Sequence, residues 1–284
     1  MPPAPLQIST FNLYNFFDNQ PSTPLQLAKL DLILRNVLGL PALIVVQEVG
    51  SEILLGQLAA RVNRAAGTRY SAVAPPTSDR RGIRVGFVWD TARLALIDVA
   101  QAQGAAVEAA FGAASPHPAR EPLLGHFRYG ERDLRVIALH LKSNFVPPAL
   151  EEERERVEAR SRAQRQAQAK VVVDLVNGLG GWVLVAGDLN ATPEEPAGPV
   201  SALLAAGLVN LLPRHAGPAV YSFMRDTGPQ LIDHLLANPP LARRCVAAAA
   251  HPINSGAAPE AGQDPHIPDG ASDHDPLSAW FSLA

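Results

Sequence analysis

The chain has 284 residues, of which 47 % are hydrophobic, a net charge of −3 and a pI of about 6.2. That balance excludes the global basic field of a protein that coats nucleic acid, although a divalent ion can supply positive charge locally at a phosphate. A single cysteine, Cys245, excludes an intramolecular disulfide and a thiolate metal cluster, and reads as a small buried hydrophobe.

The opening segment Met1-Pro2-Pro3-Ala4-Pro5-Leu6 lacks the basic-then-apolar layout of a signal peptide. A cytoplasmic protein is expected, or a secreted one if a leader has been removed. Residues 7–11 then read as a strand that ends on Asn12. Residues 24–38 carry apolar side chains at 27, 30, 34, 37 and 38, a helical period stopped by Gly39 and Pro41. The apolar run 42–47 delivers Glu48 to its end, and 52–66 repeats the helical pattern up to Gly67. Residues 70–74, 83–89, 94–99 and 123–129 read as strands, and 134–139 as another that ends on His140.

The Ala/Gly/Pro-rich stretch 101–122 reads as a surface loop, of a length that often shapes a substrate cleft. Residues 148–177 form the longest predicted helix; within it, 151–170 mixes five acids with six bases, the pattern of a solvated face. The buried run 182–186 leads into Gly187-Asp188-Leu189-Asn190, and Asp233 lies within the run 230–236. A second predicted surface loop, 252–271, precedes Ser272-Asp273-His274-Asp275 and a final apolar run. No apolar stretch approaches the length of a membrane span.

Strands and helices alternate, so the class is α/β. Hairpin-like pairs in the middle of each half suit two packed mixed sheets better than one parallel sheet. Nothing resembling a linker divides the chain, so a single domain over 1–284 is expected.

Open α/β sheets place ligands at the carboxyl ends of their strands, where these polar residues fall. Asp188 and Asn190, two apart, point the same way on an extended backbone and can face one phosphate. Hydrolysis of a phosphate ester needs an activated water, neutralised phosphoryl oxygens and help for the leaving oxygen. Glu48, Asn12 and Asp273 offer hard oxygen ligands suited to Mg²⁺, with Mn²⁺ as a substitute. Arg81 and Lys142 offer charge for phosphate oxygens, Arg81 through a bidentate fork. His274 titrates near working pH and suits the base or electrostatic partner of the attacking water. Histidines 117, 126, 215, 234, 251 and 266 show no repeated metal spacing and receive no role.

Taken in order, Phe11-Asn12, Gln47-Glu48, Leu139-His140, Gly187-Asp188-Leu189-Asn190, Ile232-Asp233 and Ser272-Asp273-His274-Asp275 resemble the endonuclease/exonuclease/phosphatase superfamily across essentially the whole chain. The resemblance implies a four-layer α/β/β/α sandwich with the site at one end of two sheets. It matches Glu48 to the principal metal-binding glutamate and Asp273 to the aspartate before the terminal catalytic histidine, His274. It gives Asp233 the task of holding His274, Asp188 that of orienting or deprotonating water, and Asn190 a hydrogen bond to phosphate. His140 resembles the second family histidine, which contacts phosphate or assists the leaving group. In pancreatic-type deoxyribonucleases that histidine pairs with a glutamate from a central strand. Residues 81–86 offer arginines there and no carboxylate, which puts a general-acid role in doubt.

The reading is a divalent-metal-dependent phosphodiester hydrolase, a nuclease acting on DNA or RNA and closest to bacterial nuclease-like members. The alternative is the same chemistry on a small-molecule or lipid phosphoester, and a remote third is a non-catalytic scaffold. Nucleic acid is the expected partner, with no membrane and no obligate protein partner. Aromatic side chains beside basic ones in the cleft loops favour nucleic acid over a small ester.

Overall fold

The computed structural model describes residues 4–113, 115, 118–146 and 148–283. Met1, Pro2 and Pro3 of the opening segment, and His117, lie outside the described residues. The chain opens with strands β1 (Leu6–Phe16), β2 (Leu43–Val49), β3 (Tyr70–Val73) and β4 (Arg84–Asp90). Next come β5 (Ala95–Gln101), β6 (Leu123–Tyr129), β7 (Arg132–His140) and β8 (Trp182–Asp188). Then follow β9 (Val209–Asn210), β10 (Phe223–Arg225), β11 (Gly228–Gln230), β12 (Asp233–Ala237), β13 (Cys245–Ala250) and β14 (Leu277–Phe281).

Two six-stranded sheets result, ordered β13-β14-β1-β2-β4-β3 and β5-β6-β7-β8-β12-β9, beside a short β10-β11 ribbon. Both are mixed and follow one scheme: a central parallel pair, β1-β2 or β7-β8, with antiparallel strands on either side. Ile8, Val45 and Phe87 of the first sheet meet Phe127, Val136, Leu184 and Leu235 of the second. The Phe87 and Phe127 rings meet edge to face across the two sheets, with centroids 5.3 Å apart.

Helices cover the outer faces. The predicted helix over 24–38 is α1 (Thr23–Leu32), which continues as a π-turn over Ile33–Val37. Helix α2 (Glu52–Ala66) starts where Ser51 Oγ accepts the Leu54 N–H and stops at Gly67, which takes a left-handed φ of 68°. Its Leu54, Leu55, Leu58, Ala59 and Val62 pack with Ile44, Val46 and Val88. On the other face, Val172 and Val176 pack with Ile137, Leu139 and Val185. Helices therefore flank both sheets, giving the α/β/β/α order.

The stretch 101–122 is not merely a surface loop. It contains α3 (Ala105–Ala110), and Val107 and Phe111 are buried in the outer core because the segment packs under the long helix. That helix begins as a 3-10 turn over Pro148–Glu153 and continues as α4 (Arg154–Asn177). Its charged face is not wholly solvated: Arg165 is buried and paired with Glu195 at 3.0 Å. In the other predicted loop, Asn254 is buried and ties the backbone to Ala271 and His274. None of the described helices is long and apolar enough to cross a membrane.

Candidate active site

Strand register builds half of the site. His140 on β7 pairs with Asp188 on β8, and Asp188 pairs on its other side with Asp233 on β12. Paired residues of adjacent strands share a face, so the three side chains form a row across the end of the second sheet. His140 Nε2 lies 3.4 Å from Asp188 Oδ2. Gly187 permits the close approach: with φ of 140°, a Cβ there would lie 2.0 Å from the Leu139 carbonyl oxygen.

The first sheet supplies the opposite wall. Glu48 sits at a shift in register between β2 and both neighbours and adopts a φ of 61°. Such a bulge re-aims a side chain that a regular strand would direct elsewhere. Its Oε2 accepts the Asn15 N–H at 2.8 Å, and its Oε1 accepts from Asn12 Nδ2 at 3.3 Å. Asn12 also donates to Asp188 Oδ2 at 3.2 Å, while its side-chain Oδ1 accepts the Tyr14 N–H. Asn12 thus spans the two sheets and aligns two carboxylates, its oxygen being engaged by backbone. Tyr14, Asn15 and Glu48 on this wall, and Asn190 at the end of the second sheet, all have positive φ, so the site concentrates strained, non-glycine backbone.

His274 stands between the sheets. Its Nδ1 hydrogen-bonds Asp233 Oδ2 at 2.7 Å, and its Nε2 points toward Asp188 at 4.0 Å and Asp273 at 3.9 Å. Phe223 covers the imidazole with its ring, centroids 4.8 Å apart. Ser272 fixes the loop by donating to the Asn12 carbonyl and accepting the His274 N–H. Asp275 takes no part in the cluster; its carboxylate caps the backbone of Ile253, Asn254 and Ser255.

These groups open onto a cleft of about 1020 Å³. Glu48, His140, Asp188, Asn190, Asp273, His274 and Arg81 line it, whereas Asn12 and Asp233 stand behind. Lys142 does not line it; its Nζ turns to the Ser143 carbonyl. Arg81 is exposed and reaches Asp79 at 3.6 Å. Among the described residues none donates to the Asn190 side-chain oxygen; its Nδ2 donates to Leu141 O at 3.3 Å.

Glu48, Asp188, Asp233 and Asp273 have only histidines as ion-pair partners among the described residues. Burial pushes the Asp188 carboxyl up, Asp233 adds to the rise, and His274 with the Asn190 N–H pulls the other way. Burial and the charge of Glu48 likewise raise Asp273, despite His274. Burial alone would lower His274, but Asp233 reverses that and leaves it raised. Burial and Arg120 press His140 well below the ordinary histidine range, so it is neutral. Among the described residues its buried Nδ1 has no hydrogen-bond partner, in keeping with the absence of a carboxylate in residues 81–86.

A crowded set of hard oxygens with no lysine or arginine ion-paired to it among the described residues is a donor set that fits a divalent cation. Atoms of Asp188, Asp233 and His274 lie within 4.8 Å of one another. Asp233 is already bonded to His274, whereas Glu48 and Asp273 face the cleft.

Two groups escaped the sequence reading. Arg120 is buried, ion-pairs with Asp79 at 2.9 Å and donates to the carbonyls of His140 and Leu141. Its signal was a lone cation, next to Glu121, between Pro118 and Pro122. Tyr14, Phe145, Phe223 and Arg225 also line the cleft, and Phe145 is 65 % exposed. Arg225 lies over the Phe223 ring at 5.7 Å.

No family model matches the sequence, and no curated protein matches it. Solved structures do match in fold. An endonuclease/exonuclease/phosphatase from Bacteroides vulgatus shares 13 % identity with a TM-score of 0.68, over 99 % of this chain and 100 % of that one. A family protein from Leptotrichia buccalis shares 12 % at a TM-score of 0.66, over 97 % and 99 %. D. rerio TDP2, complexed with single strand DNA product, shares 15 % at 0.66, over 97 % and 98 %. The chain has the endonuclease/exonuclease/phosphatase fold.

Proposed function

We propose that this protein is a divalent-metal-dependent phosphodiester hydrolase, using Mg²⁺ or Mn²⁺, that acts on nucleic acid. The observation that carries the reading is the placement of Asp188 between His140 and the Asp233–His274 pair, facing the Glu48 wall. Glu48 and Asp273 would hold the ion, and Asn12 aligns Glu48 with Asp188 from behind. When bound, such an ion neutralises charge on the phosphoryl oxygens. Asp188 and His274 face one space, where they would orient the attacking water and one of the two would receive its proton. Asp233 fixes the imidazole by its hydrogen bond to Nδ1. Asn190 and Arg81 bind phosphate oxygens, His140 contacts the phosphate as a neutral group, and Lys142 adds to the local positive field.

Nucleic acid is favoured over a small ester by Tyr14, Phe145 and Phe223 beside Arg81 and Arg225 in one cleft. Aromatic faces stack bases while basic groups track the backbone. The single strand DNA product of the D. rerio TDP2 structure, on the same fold, accords with this. The test is a panel of plasmid, single-stranded DNA, RNA, an aryl phosphodiester and a phosphomonoester, with and without chelator. Cleavage of polynucleotide that is lost on chelation and restored by Mg²⁺ is expected. Turnover of the phosphomonoester alone, or full activity in chelator, overturns the reading.

A further inference from the structure

Helix α1 carries two polar side chains on one face, Gln26 and Lys29, and both are buried. Gln26 Nε2 donates to the carbonyls of Leu13 at 2.6 Å, Tyr14 at 2.8 Å and Ala271 at 3.3 Å. Lys29 Nζ donates to the carbonyls of Ala261 at 2.5 Å, Ile267 at 2.6 Å and Asp269 at 2.8 Å. The first set grips the turn after Asn12, whose Asn15 N–H supports Glu48. The second gathers the segment that runs into Asp273 and His274. One helix face thus holds the two loops that complete the site, and each loop comes from a different end of the chain.

We propose that Gln26 and Lys29 are positioning residues for the active site, with the Lys29 ammonium serving as a built-in cation that closes the 261–271 segment around itself. Taking an ammonium out of water is costly, and apolar residues of similar volume commonly stabilise as well or better. Packing therefore gives no reason for an ammonium at this position. Three convergent carbonyls use all three of its donors and fix one loop path among many. Gly262 and Gly270 are pressed together by that path: a Cβ at Gly270 would lie 3.1 Å from Gly262 N. A groove of about 540 Å³, lined by Gln26, Lys29, Gly262, Gly270, Tyr14 and Asn15, runs alongside and gives small solutes access.

Two measurements test this, the first independent of the proposed activity. Hydrogen exchange is compared between wild type and Lys29→Met. Amides of 261–271 and also of 272–275 are expected to exchange about tenfold faster or more, with the central strands unchanged. Acceleration confined to 261–269 overturns the proposal. The second measurement rests on the hydrolase reading and uses any polynucleotide that wild type cleaves. Lys29→Ala is expected to lower kcat by about tenfold or more while KM stays within a few-fold, since misplaced groups slow the chemical step. Ethylammonium is expected to restore part of that loss, and tetramethylammonium, which has no N–H, none. Equal effects of the two salts, or a wild-type kcat, overturn it. If neither Lys29 variant folds, Gln26→Leu decides: it removes donors without a charge, and an unchanged kcat with an unchanged metal requirement overturns the clamp. A wild type inactive on every substrate removes the hydrolase reading and leaves the exchange result standing.

Discussion

Asp233 Oδ2 and His274 Nδ1 meet at 2.7 Å, both buried, although 41 residues separate them in sequence. The other oxygen of Asp233 has no partner, so this pairing is the carboxylate's single side-chain contact among the described residues. Glu48 contacts backbone and amide donors and faces the cleft. The two acids therefore divide their tasks. Asp233→Asn is expected to cut kcat by roughly 10²-fold or more, because an amide donor favours the wrong imidazole tautomer. Its metal requirement should stay near wild type. Glu48→Gln is expected to raise the metal concentration for half-maximal rate by about tenfold or more. A metal titration of initial rate at saturating substrate checks both, and reversed behaviour would exchange the roles.

Asp188→Asn separates function from stability. The near-isosteric amide is expected to lower kcat by roughly 10²-fold or more. It also removes a buried negative charge beside Asp233 and Glu48. In chelator its Tm is expected to equal or exceed that of wild type, as at sites whose function costs stability. A Tm clearly below wild type in chelator contradicts the crowding argument.

The buried Asp79–Arg120 pair carries the acid sensitivity of the 101–122 segment. Burial alone would raise Asp79, but Arg120 and the Arg81 N–H outweigh it and hold the carboxyl below its ordinary range. A depressed carboxyl contributes stability that is full above its unfolded value, about 4, and lost as pH falls through the folded value. Asp79→Asn should therefore flatten the stability profile below about pH 4. Arg120→Met leaves the charge buried and is expected to cost about 3 kcal/mol or more at pH 7. Urea melts from pH 7 to pH 3 measure both.

Gly187→Ala places a methyl group 2.0 Å from the Leu139 carbonyl at a φ of 140°. The strands cannot separate there without parting His140 from Asp188. A loss of about 3 kcal/mol or more is expected, or failure to fold. Stability within 1 kcal/mol of wild type in denaturant melts, at this order of magnitude, would contradict the close approach.

Phe145 is mostly exposed, so its removal should leave Tm unchanged. Phe145→Ala is expected to weaken single-stranded DNA binding by about 1–3 kcal/mol, a base-stacking loss. Fluorescence anisotropy with an inactive Asp188→Asn background reads the affinity. Unchanged binding would detach Phe145 from the substrate.

The site was largely legible because apolar runs end abruptly on polar residues. Asn12, Glu48, His140 and Asp188 each follow such a run, and strand ends are where open α/β sheets collect ligands. Register was not legible: that Asp233 falls opposite Asp188 depends on pairing across more than forty residues. Neither was the bulge that turns Glu48 into the cleft, since glutamate carries no sign of a left-handed backbone. Arg165 and Lys29 were hidden for another reason. A charged residue on an amphipathic helix reads as solvated until tertiary packing supplies its partners.

The strand that follows His274 pairs with the strand that carries Asn12, side by side within one sheet. β1 is the first described strand in chain order, yet it gains that neighbour only once residues 277–281 are made. A chain interrupted between residues 233 and 274 holds Glu48, His140, Asp188 and Asp233 but no imidazole to pair with Asp233. Such fragments lack the imidazole on which the proposed hydrolysis relies and are expected to be inactive. On that mechanism, cleavage awaits the pairing of β14 with β1.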